Sequence, residues 1–116
     1  MLFAACANNS YGTALLMLQD ARVDINMADY YGWSPLMNAC HTGSTKTVQL
    51  LISFGRKIDI LKKSTEDNYG IKSGSTALDV AKKWNRDVVQ LLEQYQNNPK
   101  ETQKTTRNKL NLKGKI

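Results

Sequence analysis

Two stretches of this chain align without a gap at an offset of 33 residues, and that repetition limits the folds open to it. Leu15 falls on Val48, Met17 on Leu50, Leu18 on Leu51, Ile25 on Ile58 and Asn26 on Asp59. Upstream, residues 3–10 lie over residues 36–43, so Cys6 takes the place of Ala39 and Ala7 that of Cys40. A third copy starts at Gly74, where Gly74-Ser75-Thr76-Ala77-Leu78 matches Gly32-Trp33-Ser34-Pro35-Leu36. Those two glycines are 42 residues apart, nine more than the period, so an insertion separates copies two and three. A period of roughly 20–50 residues marks a stack of supersecondary units, each burying its apolar face on its neighbours.

Each copy reads as a pair of short helices. In the middle copy Ser34 is a good N-cap, and Pro35 suits the first helical position, where its missing N–H costs nothing. Leu36, Ala39 and Cys40 fall at i, i+3 and i+4 and make one apolar face. Gly43 is expected to end that helix. A second helix starts near Thr45, buries Val48, Leu50 and Leu51, and stops at Gly55. In the third copy Thr76 caps, Leu78 and Ala81 face inward, and Asn85 stands where Gly43 stood. The segment from Arg86 to Val88 is one residue short there, so the following helix should begin differently.

This pattern closely resembles the ankyrin repeat. The resemblance rests on Asp29, Gly32, Ser34, Pro35, Leu36, Ala39, Gly43, Val48, Leu50, Leu51, Gly55 and Ile58 in the middle copy. It continues in Gly74, Thr76, Leu78 and Ala81, and in Leu15, Leu18, Ile25 and Asn26 of the first copy. It covers about residues 2–95 and implies an all-α solenoid of about three repeats with hairpin-like fingers. The expected divisions are a first, N-terminal capping or truncated repeat over 1–28 and a second over 29–61. An extended finger insertion over 62–72 and a third, capping repeat over 73–96 follow. Residues 97–116 then form a basic, flexible tail, because they have few apolar side chains, no periodicity and a breaker at Pro99. The family's Thr-Pro-Leu-His reads Ser34-Pro35-Leu36-Met37 and Thr76-Ala77-Leu78-Asp79 here. The histidine that ties neighbouring loops in the family is therefore absent from both copies.

The residue inventory argues against catalysis. His41 is the only histidine, and the two cysteines, Cys6 and Cys40, lack metal-site spacing. Cys40 and His41 are adjacent on a helix, about 100° apart, so they do not form a nucleophile–base pair. The repeat register instead puts Cys40 at a small core position. Residues 70–75 are glycine-rich but lack the Lys-Ser/Thr that completes a phosphate-binding loop, and they read as a turn. No catalytic residue, metal site or cofactor is expected. The opening "MLFAACA" lacks a basic leader, and no apolar run approaches the ~18 residues of a membrane helix. Unpaired cysteines fit a reduced, intracellular protein, cytoplasmic or nuclear.

The chain carries a net charge of +6, unevenly spread. Residues 96–116 hold six basic side chains against Glu101 alone, while the remaining residues hold ten basic and nine acidic. The tail therefore offers a site for an acidic partner or nucleic acid through counterion release. Elsewhere the resemblance implies binding on a concave surface. Carried onto this sequence, the partner-binding positions are Tyr30, Tyr31, Trp33, His41 and Thr42 in the second copy. In the third copy they are Lys72, Lys83 and Trp84, and Phe54 borders the same side. Tyrosine and tryptophan concentrate binding energy because they supply large contact area with few rotors. The expected function is a monomeric, non-catalytic adaptor that binds a protein or peptide segment in this groove. Two alternatives are a nucleic-acid- or chromatin-associated factor that uses the tail for affinity, and a regulatory fragment of a larger protein. A narrower reading makes Tyr30, Tyr31 and Trp33 a cage for a methylated lysine.

Overall fold

Helix pairs succeed one another along the chain, as the repeat requires. The computed structural model describes residues 1–42, 44–54 and 56–112. Gly43 and Gly55, where two helices were expected to stop, and the last four tail residues lie outside them. The first pair is α1 (Leu2–Ala7) and α2 (Tyr11–Leu18); the second is α3 (Pro35–Thr42) and α4 (Thr45–Ser53). The third is α5 (Ala77–Trp84) and α6 (Val89–Asn97), joined by a 3₁₀ turn over Arg86–Val88. That turn is how the shortened segment restarts. Among the described residues no helix is long and apolar enough to cross a membrane.

The caps follow the local chemistry. Ser34 Oγ accepts from the Met37 N–H, and Ser44 Oγ accepts from the Thr47 N–H, both at 3.2 Å. Thr76 and Asp79 form a reciprocal capping box at the start of α5. Side by side, α1, α3 and α5 make one layer, with α3 in the middle, while α2 and α4 continue the other. The seam between the layers is filled by Leu18, Leu36, Ala39, Cys40, Val48, Leu51, Val80 and Leu92, all essentially inaccessible to water. Thr42 Oγ1 adds a polar stitch, donating to the Cys6 carbonyl at 3.2 Å.

Arg56 joins successive repeats on the outer layer. Its Nη2 donates to the carbonyls of Leu18 and Asp20 at 2.6 Å, and its Nη1 donates to that of Val23. These carbonyls lie at and just beyond the end of α2, where helical acceptors need partners and a cation is favoured.

The tail corrects the sequence-based expectation of disorder. Residues Pro99–Leu110 form a seventh helix, α7, which folds back against α4 and α6. Asn98 Oδ1 caps the Glu101 N–H, Pro99 takes the first turn, and Glu101 faces the positive end of the helix dipole. The docking face is almost wholly polar, so no apolar period announces it. Thr102 and Thr106 are buried with their hydroxyls donating to the carbonyls one turn back, at 2.8 and 2.7 Å. Burial therefore leaves neither hydroxyl without a partner. Gln103 Nε2 donates to Arg56 O and Arg107 Nε to Ser53 O, closing acceptors at and beyond the end of α4. Leu112 is buried beyond the end of α7.

Asn98→Ala should cost about 1 kcal/mol, the usual value of an N-cap. Amide hydrogen exchange should quicken in α7 before it does in α3; equal protection of the two helices in the variant would contradict this account.

Candidate partner-binding surface

The finger ahead of α3 is built on one carboxylate. Asp29 Oδ1 accepts from the backbone N–H groups of Tyr31 and Trp33 at 2.9 and 3.0 Å, and Oδ2 accepts from Asn38 Nδ2 at 3.2 Å. Gly32 completes the turn at φ +75°. A Cβ at Gly32 would stand 2.6 Å from the Thr65 backbone nitrogen, so any side chain would collide with the insertion. The turn sends Tyr30 outward and Trp33 inward. Tyr30 is 84% exposed and stands edge-on to Tyr31, ring centres 5.5 Å apart.

Trp33 corrects the sequence-based site. Its side chain is fully buried and belongs to the core, so it offers no contact surface to a partner. Burying an indole here contributes several times what an exposed contact would, on the order of 3–5 kcal/mol against truncation. Its N–H has no hydrogen-bond partner among the described residues, a cost of about 1–3 kcal/mol that the buried ring area outweighs. A cage of Tyr30, Tyr31 and Trp33 is excluded with it, because the third wall faces the core. Phe54 is likewise buried. Thr42 is half-buried and committed to Cys6 and Ala39 carbonyls.

Over Trp33 lies a cluster of rings that the sequence did not assemble. His41 stacks on Tyr69, centres 4.2 Å apart and planes 26° from parallel. Trp84 meets His41 edge-on at 4.8 Å, and Trp33 meets it edge-on at 5.4 Å. Trp84 is 44% exposed and Tyr69 61%, so the cluster opens to solvent. Lys72 and Lys83 are exposed beside it, with Lys83 Nζ 3.5 Å from the Gly70 carbonyl. Partial burial holds the His41 pKa below its usual value, which favours the neutral imidazole.

Tyr69 arrives from the insertion, which is an ordered part of the surface. The Ser64 carbonyl accepts from the Gly74 N–H and the Ser75 carbonyl from the Ser64 N–H, each at 2.8 Å. Thr65 and Glu66 donate their N–H groups to the Tyr31 carbonyl at 2.9 and 3.2 Å, tying insertion to finger. Asn68 and Ile71 exchange both backbone hydrogen bonds around Tyr69 and Gly70, which have φ of +48° and +75°. Two positive φ values in a two-residue loop are the mark of a type I′ hairpin turn. Ile71 anchors it in the core. The Tyr-Gly pair bounded by Asn68 was the available signal, but nothing local told which ring Tyr69 would meet.

Comparison with known proteins agrees with this architecture. A family model for ankyrin repeats (3 copies) matches residues 2–103. The chain belongs to the ankyrin repeat family. Among curated proteins, SMC5-SMC6 complex localization factor protein 1 of Bos taurus is 38% identical over 60 residues, 52% of this chain and 6% of that protein. Scaffold protein ILK of Homo sapiens is 29% identical over 65 residues, 56% of this chain and 14% of that one. Protein phosphatase 1 regulatory subunit 12A of Mus musculus is 32% identical over 90 residues, 78% of this chain and 8% of that protein. The chain thus spans only a small part of these relatives' lengths. One chain of the solved complex of the Bd0816 predatory endopeptidase from Bdellovibrio bacteriovorus with immunity protein Bd3460 matches at 26% identity and a TM-score of 0.54. That match covers 93% of this chain and 62% of the other.

This ankyrin domain replaces the missing loop histidine with other ties. Buried Met37 takes the histidine's position in the second repeat, and Asn38, next along, braces Asp29. Between fingers, Asn26 works as a two-way clamp. Its Nδ2 donates to the Lys57 carbonyl at 3.0 Å, and its Oδ1 accepts from the Asp59 N–H at 2.8 Å. The cysteines are buried in the seam between α1 and α3. Burial pushes the Cys6 thiol up to about 12, and burial together with the neighbouring Cys6 brings Cys40 to about 12. Neither is a nucleophile at neutral pH.

Trp33→Ala should destabilise the domain by about 3–5 kcal/mol in denaturant unfolding, far more than a contact residue would. Native protein should resist thiol alkylation at pH 8, both cysteines reacting only under denaturant; rapid native labelling would contradict their placement. Because the folded pKa of His41 is depressed, its contribution to stability is complete above the unfolded value near 6.5 and is lost as pH falls below it. Wild type should therefore lose stability from about pH 6.5 downward, and His41→Gln should lack the upper part of that decline.

Proposed function

We propose that this ankyrin domain is a non-catalytic adaptor that takes a segment of a partner protein on the face formed by Tyr30, Tyr31, His41, Tyr69 and Trp84. The observation that carries the proposal is the open cluster of His41, Tyr69 and Trp84, with Tyr30 and Tyr31 also exposed on the second finger. Rings left 39–84% exposed on a well-packed fold are unusual unless something covers them. Exposed Lys72 and Lys83 at the rim favour a partner with acidic flanks, chiefly through the rate of encounter. Relatives named as a scaffold protein, a localization factor and a phosphatase regulatory subunit support a protein-binding role over catalysis. An intracellular location fits this reading, and the two free thiols support it.

The basic residues of α7 enter this reading differently from a flexible tail. Lys100, Lys104 and Lys109 are exposed on a docked helix, whereas Arg107 is tied to α4. Charge reversal at the three lysines leaves Thr102 and Thr106 in place and so separates binding from folding.

The full chain used as an affinity bait should lose its captured proteins in a Tyr30→Ala/Trp84→Ala double variant. Thermal unfolding should show that the variant keeps its fold. Capture that survives the double change and disappears on reversal of the three α7 lysines would overturn the groove as the binding site.

A further inference from the structure

Tyr69 sits on the His41 ring as a ligand would. It comes from a nine-residue excess over the repeat period, its ring covers one face of His41, and Trp84 and Trp33 stand edge-on around the same imidazole. We infer that this face of His41 is the receiving site for an aromatic side chain of the partner, and that Tyr69 is its intramolecular stand-in. The inference rests on the groove reading and specifies what that groove recognises.

A single stacked ring pair is a weak tie, and rotating the Tyr69 ring leaves its φ +48° backbone as it is, so Tyr69 covers His41 without being locked there. The rest of the hairpin does not depend on the tyrosine ring. Ile71 is in the core, Asn68 and Ile71 are paired through their backbones, and Ser64 is bonded to Gly74 and Ser75. The side chain is 61% exposed and turns about its own χ1, a motion of exposed rotamers on the picosecond-to-nanosecond scale. An incoming aromatic side chain can therefore take the stacked position with no change of backbone. The geometry also states its preference: a flat ring fits parallel to the imidazole, while a branched aliphatic side chain covers it poorly.

His41 is the only histidine of the chain, so its imidazole C–H resonances are unambiguous reporters. Tyr69→Gly removes the ring and suits the left-handed backbone; Tyr69→Phe keeps the ring. In wild type and Tyr69→Phe the His41 resonances should lie upfield of those in Tyr69→Gly. Titrating N-acetyltyrosinamide into Tyr69→Gly should move them back upfield and saturate. Its affinity there should exceed that for wild type by about tenfold, the factor that ~1.4 kcal/mol of displaced stacking supplies. N-acetylleucinamide should leave them unmoved. Equal responses to the two probes, or equal responses of wild type and Tyr69→Gly, would sink the inference. Capture lost in the Tyr30→Ala/Trp84→Ala variant together with a silent His41 keeps the groove and removes its aromatic occupant. Capture unaffected by that variant, with His41 still taking the tyrosine probe, keeps the receiving face and removes the groove as the partner's site.

Discussion

The Asp29 carboxylate decides which way the second finger faces. With one oxygen on two backbone N–H groups and the other on Asn38, it fixes a turn that would otherwise sample many shapes. That turn sends Trp33 under the finger and Tyr30 out of it. The ring cluster around His41 follows from that sorting. The indole becomes a floor, the floor supports His41, and His41 supports Tyr69 and Trp84. One charged side chain on a turn thereby converts a local conformational choice into the shape of a surface.

The opposite side of the stack is organised by backbone acceptors rather than by apolar area. Arg56 gathers carbonyls from the end of the first repeat, and Gln103 and Arg107 gather those at and just after the end of α4. Short helices leave a large share of their carbonyls without intrahelical partners, so a stack of eight- and nine-residue helices has many to satisfy. A polar helix such as α7 suits that need better than an apolar one. It meets the end of α4 by hydrogen bonding, through Gln103 and Arg107, more than by apolar packing.

What the sequence disclosed and what it hid divide along the same line. The caps at Ser34 and Thr76 and the shortened segment at Arg86–Val88 depend on residues within one helix pair, and the repeat register and the buried cysteines follow from comparing one pair with the next. Pattern and propensity therefore reach them. Trp33 was misread because a turn residue beside a helix cap is normally wet, and part of its cover, beside His41, comes from Tyr69, far along the chain. The α7 helix was missed because its docking face is threonine, glutamine and arginine, which carry no apolar period. Its cap was nonetheless legible in Asn98, Pro99 and Glu101. Tyr30, Lys72, Lys83 and Trp84 are exposed. The grouping of His41 with Tyr69 needed the fold of the insertion, which no single-copy alignment supplies.

Ankyrin arrays are usually treated as beads that can be exchanged one for another. This one resists that treatment at a single joint. Gly32 leaves room only for hydrogen where the Thr65 backbone passes, and the Tyr31 carbonyl is occupied by Thr65 and Glu66. The second repeat and the insertion have therefore grown to each other's contours. A standard-length finger grafted in place of residues 62–72 would meet a glycine with nothing against it and an indole short of one covering ring. The two segments form one mechanical unit even though the repeat boundary runs between them.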